Sequence, residues 1–70
     1  MENICVGDIW LHYKGGRYII LGKGIHTETG EEMVIYSPID DRNKVWIRPI
    51  SMWFDIIDKD NNIIRFKREK

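Results

Sequence analysis

Apolar and polar residues alternate along most of this chain with the two-residue period of β-strands. The alternation is clearest over 7–13, where Ile9 and Leu11 fall on one face while Trp10 and His12 fall on the other. Similar segments follow at short intervals, separated by turn-forming residues. We therefore expect strands over 7–13, 17–25, 32–37 and 44–48, a single helical turn over 50–54, and a last hairpin made of 55–57 and 63–67 around a polar loop at 58–62.

Glycine and proline delimit these strands. The pair Gly15-Gly16 predicts a tight turn, because glycine tolerates positive φ. Pro38 ends the third strand, since proline cannot donate a hydrogen bond to its neighbour. Gly22 and Gly24 interrupt the second strand and predict a bulge or a bend there.

So many short strands in 70 residues must form a sheet that curls on itself to bury its apolar side. We expect an all-β fold, a small SH3-like barrel of five to six short antiparallel strands with one helical turn, with residues 1–70 as a single domain. The aliphatic side of the strands is predicted to form the core, in or near which we place Ile9, Leu11, Ile19, Leu21, Ile35, Val45, Ile47 and Phe66.

Charge and cysteine content restrict the classes of function. The chain has 11 basic and 11 acidic residues, so it lacks the basic excess that usually accompanies nucleic-acid binding. Only the tail, 65–70, is biased toward basic residues. Cys5 is the single cysteine, which excludes an intrachain disulfide and suits a reducing compartment. With no signal-peptide pattern and no long apolar run, we expect a cytoplasmic protein without membrane contact.

Neither a catalytic set nor a metal site is predicted. A thiol enzyme needs a base beside its nucleophile, and nothing places Cys5 next to either histidine. The series Asp58, Asp60 and Asn62 resembles the start of an EF-hand loop, but Ile63 stands where that loop requires glycine. We therefore expect no enzyme activity, no cofactor and no metal.

The more informative feature is a large set of aromatic and polar side chains. Three tryptophans are more than the core of so small a domain easily holds, so at least one should lie in a pocket or an interface. Aromatic rings stack on bases, and arginine or histidine can hold a phosphate or a carboxylate. In a small barrel, however, aromatic residues also serve simply to fill the core.

Several motifs resemble a known family. The segments 12–16 (HYKGG), 26–29 (HTET), 46–49 (WIRP) and 52–54 (MWF), in this order and spacing, closely resemble domain-of-unknown-function family 1653, a group of small bacterial and phage proteins. The family is expected to have alanine where this chain has Gly24. The resemblance implies a compact β-barrel without established enzyme activity, and it suggests a ligand site formed by His12, Lys14, Tyr18, His26, Glu28, Thr29, Tyr36, Trp46 and Arg48.

Three functions compete on these grounds. The first is non-catalytic binding of a small anionic or nucleotide-like ligand, by analogy as a phage or bacterial sponge that sequesters a nucleotide signal, in a homo-oligomer. The second is an SH3-like adaptor that holds a peptide in an aromatic groove. The third is a nucleic-acid-binding module that uses the tail and an aromatic sheet face. The net charge of zero makes nucleic acid the least favoured of the three.

Overall fold

The computed structural model describes residues 4–69 and has an all-β fold, as expected. Five strands form one antiparallel sheet in the order β4-β3-β2-β1-β7, and the remaining two form a separate hairpin, β5-β6. The elements are β1 (Ile9–His12), β2 (Arg17–Ile25), β3 (Glu32–Pro38), β4 (Trp46–Pro49), a 3₁₀ helix (Ile50–Met52), β5 (Ile56–Asp58), β6 (Ile63–Ile64) and β7 (Phe66–Arg68).

The sheet is curled but not closed into a barrel. Strands β4 and β7 are its two edges, and no pairing joins them within residues 4–69. The first four expected strands and the single helical turn are confirmed. The expected last strand, 63–67, is divided into β6, which pairs with β5, and β7, which pairs with β1, so the described chain has seven strands instead of five to six. Closure, however, depends on how the two edges meet, which the period-two pattern does not specify.

A bulge in β2 changes the register of the long β2–β3 hairpin. Ile20 pairs with Tyr36 and Gly22 pairs with Ile35, so Leu21 is the extra residue. This bulge lies beside the first of the two glycines that predicted an irregularity. A bulge of this kind increases the local twist of the strands.

The core lies on the opposite side of the sheet from the one predicted. We call the side that carries Trp10 and Tyr36 the inner face, and the side that carries Ile9 and Ile35 the outer face. Of the eight predicted core residues, only Phe66 is buried. The buried hydrophobic residues are Ile4, Trp10, Ile20, Val34, Tyr36, Trp53 and Phe66.

Aromatic packing explains why the inner face is the buried one. The chain that follows β4 folds over this face and places Trp53 flat against Phe66, with ring centroids 3.8 Å apart and planes 6° apart. Trp10 meets the edges of Trp53 and Phe54, each at 5.7 Å. Large rings bury more apolar area than aliphatic side chains do, so the side that these rings cover becomes the core.

The outer face is left largely uncovered within the described chain. Ile47 is 62% exposed, while Ile9, Leu11, Ile19 and Ile35 are partly exposed. No element packs over this side as the 3₁₀ helix and Trp53 do on the other, within residues 4–69. The predicted two-residue period is therefore confirmed, but the prediction that the aliphatic side of the sheet forms the core is wrong.

The polar loop 58–62 is a hairpin turn, as expected. Both carboxylate oxygens of Asp58 are occupied within the turn, since Oδ1 accepts from the Asp60 and Asn61 amides and Oδ2 accepts from the Asn61 side chain. These bonds lower the pKa of Asp58, the side-chain bond from Asn61 most of all. Asn62 adopts a φ of 60°, which completes the turn.

The basic tail is tied to the sheet through ion pairs. Arg17 donates two hydrogen bonds to the carboxylate of Glu69, at 2.8 and 2.7 Å. Arg68 approaches Asp8 at 3.5 Å and lies over the Trp10 ring. These contacts occupy charges that a nucleic-acid-binding tail would need, and Lys70 lies outside the described residues. No helix within residues 4–69 has the length and apolar character needed to cross a membrane.

Candidate functional site

Five of the nine predicted site residues meet at one end of the inner face. Pairing places Tyr36 beside Trp46 across β3 and β4. It also places His12 beside Phe66 across β1 and β7. We define the His12 cluster as His12, Tyr18, Tyr36, Trp46, Arg48 and Phe66.

Ring-to-ring contacts make the His12 cluster continuous. Tyr18 lies in its middle, with ring centroids 5.6 Å from both Tyr36 and Trp46 and 5.9 Å from Phe66. His12 contacts Phe66 edge-on at 5.0 Å and Tyr18 at 6.2 Å. Edge-to-face packing of this kind fixes ring orientations, so the cluster presents a defined surface.

Exposure varies strongly across the cluster. Tyr36 and Phe66 are 3% and 2% exposed and belong to the core. Trp46 is 41% exposed, on the edge strand β4, while Tyr18 is partly buried. We expected at least one tryptophan in a pocket or an interface, and Trp46 is the one of the three that is exposed. This exposure leaves part of the Trp46 side chain accessible to solvent, and aromatic surface of this kind can stack on a planar group.

Arg48 sits between the aromatic core and this open edge. Its Nε donates a hydrogen bond to the Tyr36 hydroxyl at 3.2 Å. Its guanidinium carbon lies 5.9 Å from the centre of the Phe66 ring. Since the Trp53 indole stacks on one face of that ring, the guanidinium lies over the other. Arg48 forms no ion pair within residues 4–69.

His12 is a neutral hydrogen-bond acceptor on one side of its ring. Its Nδ1 accepts the backbone N–H of Lys14 at 3.2 Å, so its proton resides on Nε2. Burial lowers the pKa of His12, and the positive charges of Arg65, Arg48 and Lys14 lower it further. The three cations that act on one histidine indicate a positive potential at this end of the sheet.

The cations around His12 are only partly neutralised. Arg65 pairs with Asp55 at 3.3 Å. Lys14 lies over the Tyr13 ring, with Nζ 5.8 Å from its centre, and has no carboxylate partner within residues 4–69. Together with Arg48, it leaves two positive charges available to an incoming anion.

The glycines of the HYKGG motif allow this arrangement. Gly15 has a φ of 105°, which favours glycine. A Cβ on Gly16 would lie 2.9 to 3.1 Å from atoms of the Tyr18 ring, so a side chain there would displace the ring. The motif therefore keeps Tyr18 in the centre of the cluster while the turn presents Lys14 beside it.

The other three predicted site residues belong to the turn between β2 and β3. The Nδ1 atom of His26 accepts the Glu28 backbone N–H at 3.1 Å, and Thr29 Oγ1 accepts the N–H of Glu31 at 3.2 Å. Side-chain acceptors of this kind close turns. The HTET motif thus has a local structural role, and its three side chains are exposed.

The turn and the His12 cluster are far apart. Seven residues of strand β2 lie between Tyr18 and His26, which corresponds to roughly 26 Å at about 3.3 Å per residue. The structure therefore brings His12, Tyr18, Tyr36, Trp46 and Arg48 together, with Lys14 at their border, and places His26, Glu28 and Thr29 elsewhere. A small ligand that contacts Tyr18 cannot also reach His26 on the same chain.

Two members of the site escaped prediction as functional residues. Phe66 was predicted only as core, and Arg65 was assigned only to the tail. Both residues lie near His12 because β7 pairs with β1 and places Phe66 opposite His12. The sequence carried one signal for this, the adjacency of a cation and an aromatic residue at 65–66, but nothing in it specified the β1–β7 pairing.

The expected absence of a metal site concerns the histidine, cysteine and acidic side chains. No group of three or more histidine, cysteine or acidic side chains is suitably placed for a metal ion in that part of the chain. Cys5 is exposed, and its backbone N–H donates to Asp8 at 3.0 Å.

Comparison with known proteins identifies the family to which this chain belongs. Residues 8–68 match the model of the family described as Protein of unknown function (DUF1653). The chain belongs to this family. The match spans β1 to β7 and includes every residue of the His12 cluster, so the cluster lies within the DUF1653 domain. No curated protein and no solved structure matches the chain.

Proposed function

We propose that this DUF1653 protein binds a small nucleotide-like anion at the His12 cluster without transforming it. The observation that supports this most directly is the adjacency of an exposed aromatic face, that of Trp46, to an arginine without a counter-ion, Arg48. A nucleotide offers both complements, since its base can stack on an aromatic ring and its phosphate can pair with a guanidinium.

Charge balance supports a small anion over a nucleic acid. The net charge is zero, and the two tail arginines, Arg65 and Arg68, are paired with Asp55 and Asp8. A single anionic group needs only the local potential that surrounds His12, whereas a polynucleotide needs several cations along a path. The proposal includes a cytoplasmic location, which suits the exposed thiol of Cys5.

A thermal-shift screen against mononucleotides, dinucleotides and cyclic dinucleotides tests this function. A ligand at a hundred times its dissociation constant adds about 2.7 kcal/mol to the free energy of unfolding. We expect a clear rise in Tm with at least one of these compounds. The rise should be lost in Trp46→Ala and retained in His26→Ala, which alters the distant turn.

Two results would contradict the proposal. The first is a screen in which no nucleotide raises Tm. The second is a rise that persists in Trp46→Ala but disappears in His26→Ala, because binding would then occur at the turn. The absence of catalysis has its own test: the ligand recovered from the complex after denaturation should be chemically unchanged by mass spectrometry.

A further inference from the structure

The guanidinium of Arg48 is fixed along one edge and free along the other. Its Nε donates to the Tyr36 hydroxyl at 3.2 Å. Neither Nη atom is hydrogen-bonded to another residue within 4–69. Neither is completely buried, unlike the side-chain nitrogens of Trp10 and Trp53. Arg48 is half-buried, and each of its Nη groups therefore keeps some contact with solvent. Their outward N–H bonds form a planar pair of donors.

Tyr36 is rigid enough to orient this pair. The residue is 3% exposed, and its ring packs edge-on against Trp53 at 5.0 Å and Phe66 at 5.7 Å. Because the phenol cannot easily move, its oxygen fixes the direction of Arg48 Nε. The guanidinium also lies over Phe66, which restricts rotation of its plane. The donor pair is thus oriented before any ligand arrives.

Two kinds of acceptor match a planar pair of N–H donors on a nucleotide. One is a pair of phosphate oxygens, and the other is the O6 and N7 edge of guanine. The surroundings favour phosphate, because Lys14 and Arg48 are two cations without a carboxylate partner near His12 within residues 4–69. A neutral base edge would not reduce the repulsion between these cations, whereas a phosphate, with a charge of about −1.5 to −2 at pH 7, would offset it.

We propose that Arg48, positioned by Tyr36, holds the phosphate of a nucleotide end-on through its two Nη groups, while Trp46 stacks on the base. The inference rests on the proposed function and specifies which part of the ligand each residue takes. It makes the site selective for phosphorylated ligands and tolerant of the base, since stacking on a ring face discriminates little between bases.

Isothermal titration calorimetry with AMP, GMP, adenosine, guanosine and inorganic phosphate tests the assignment. We expect AMP and GMP to bind with affinities within a few-fold of each other, and both nucleosides and free phosphate to bind about tenfold more weakly or worse. Arg48→Lys keeps the charge but loses the planar pair, so it should reduce nucleotide affinity about tenfold while nucleoside affinity stays nearly constant. His26→Ala serves as the matched control and should bind like the wild type.

Tyr36→Phe separates positioning from a purely structural role. Loss of the hydroxyl should reduce the ratio of nucleotide to nucleoside affinity, because a purely structural defect would weaken both equally. If this variant does not fold, as judged by circular dichroism, the partly exposed Arg48→Lys variant carries the test alone.

The possible failures are distinguishable. If guanosine binds as tightly as GMP while adenosine and AMP do not bind, Arg48 reads a base edge and the phosphate assignment is wrong. If the nucleosides bind as well as the nucleotides in every variant, the ligand site is supported but the assignment of the phosphate to Arg48 is wrong. If inorganic phosphate binds as tightly as AMP, the stacking half is wrong. If none of the five compounds binds, the inference is refuted, whereas the proposed function is refuted only if no compound of the thermal-shift screen raises Tm either.

Discussion

Ile20 and Ile47 provide a direct test of which side of the sheet is the core. Ile20 lies on the inner face and is 1% exposed, whereas Ile47 lies on the outer face and is 62% exposed. Substituting valine removes one methylene from each and preserves β-branching, so strand propensity hardly changes. Any difference in stability between the two variants therefore reports the difference in burial.

The expected magnitudes differ by a factor of several. At the buried site, Ile20→Val should lower the free energy of unfolding by about 0.5–1.5 kcal/mol, which includes the cavity left behind. At the exposed site, about 0.8 kcal/mol for a fully buried methylene, scaled by the buried fraction, leaves about 0.3 kcal/mol for Ile47→Val. For a domain of this size, Tm falls by roughly 4–8 °C per kcal/mol.

Urea denaturation of the two variants and the wild type, at one protein concentration, measures the difference. Equal losses, or a larger loss for Ile47→Val, would refute the assignment of the inner face as the core. A loss at Ile47 that grows with protein concentration would have a different meaning, because it would show that the outer face is covered in a homo-oligomer.

Three further predictions concern the His12 cluster. Gly16→Ala should lower nucleotide affinity severalfold and cost about 1 kcal/mol of stability, because the new Cβ displaces the Tyr18 ring; calorimetry and urea denaturation check the two effects. Since burial lowers the pKa of His12 below 6.5, protonation favours the unfolded state, so stability should fall as pH drops below about 6.5 and level off below the folded-state pKa. His12→Asn keeps an acceptor for the Lys14 N–H but cannot titrate, so the loss of stability below pH 6.5 should be smaller in this variant. Urea midpoints measured between pH 8 and 5 check this, and the same pH dependence in the variant and the wild type would show that His12 is not the group responsible. Nucleotide binding should quench tryptophan fluorescence through Trp46, since the other two tryptophans are buried, and Trp46→Phe should abolish the quenching; quenching that survives this change would place the base elsewhere.

The candidate site was predictable in its residue types but not in its grouping. The excess of aromatic and polar residues predicted a tryptophan outside the packed core, in a pocket or an interface; Trp46 is exposed, and five of the nine residues lie together. His26 looked equivalent to His12 in sequence, since each is followed by a polar segment. They differ because the bulged β2 strand carries His26 to the far turn, and because β7, which follows a separate hairpin, returns to pair beside His12.

Local periodicity and the backbone preferences of single residues predict the all-β class, the succession of strands, the turn at Gly15-Gly16 and the polar hairpin at 58–62. These local patterns do not specify which side of the sheet is buried. Both sides of each strand carry apolar residues, aliphatic on one side and aromatic on the other, so alternation alone leaves two solutions. The tertiary structure decides between them when the segment after β4 folds over the aromatic side and Trp53 stacks on Phe66. That same choice leaves Arg48 and Trp46 at the open edge of the buried face, where the proposed ligand binds.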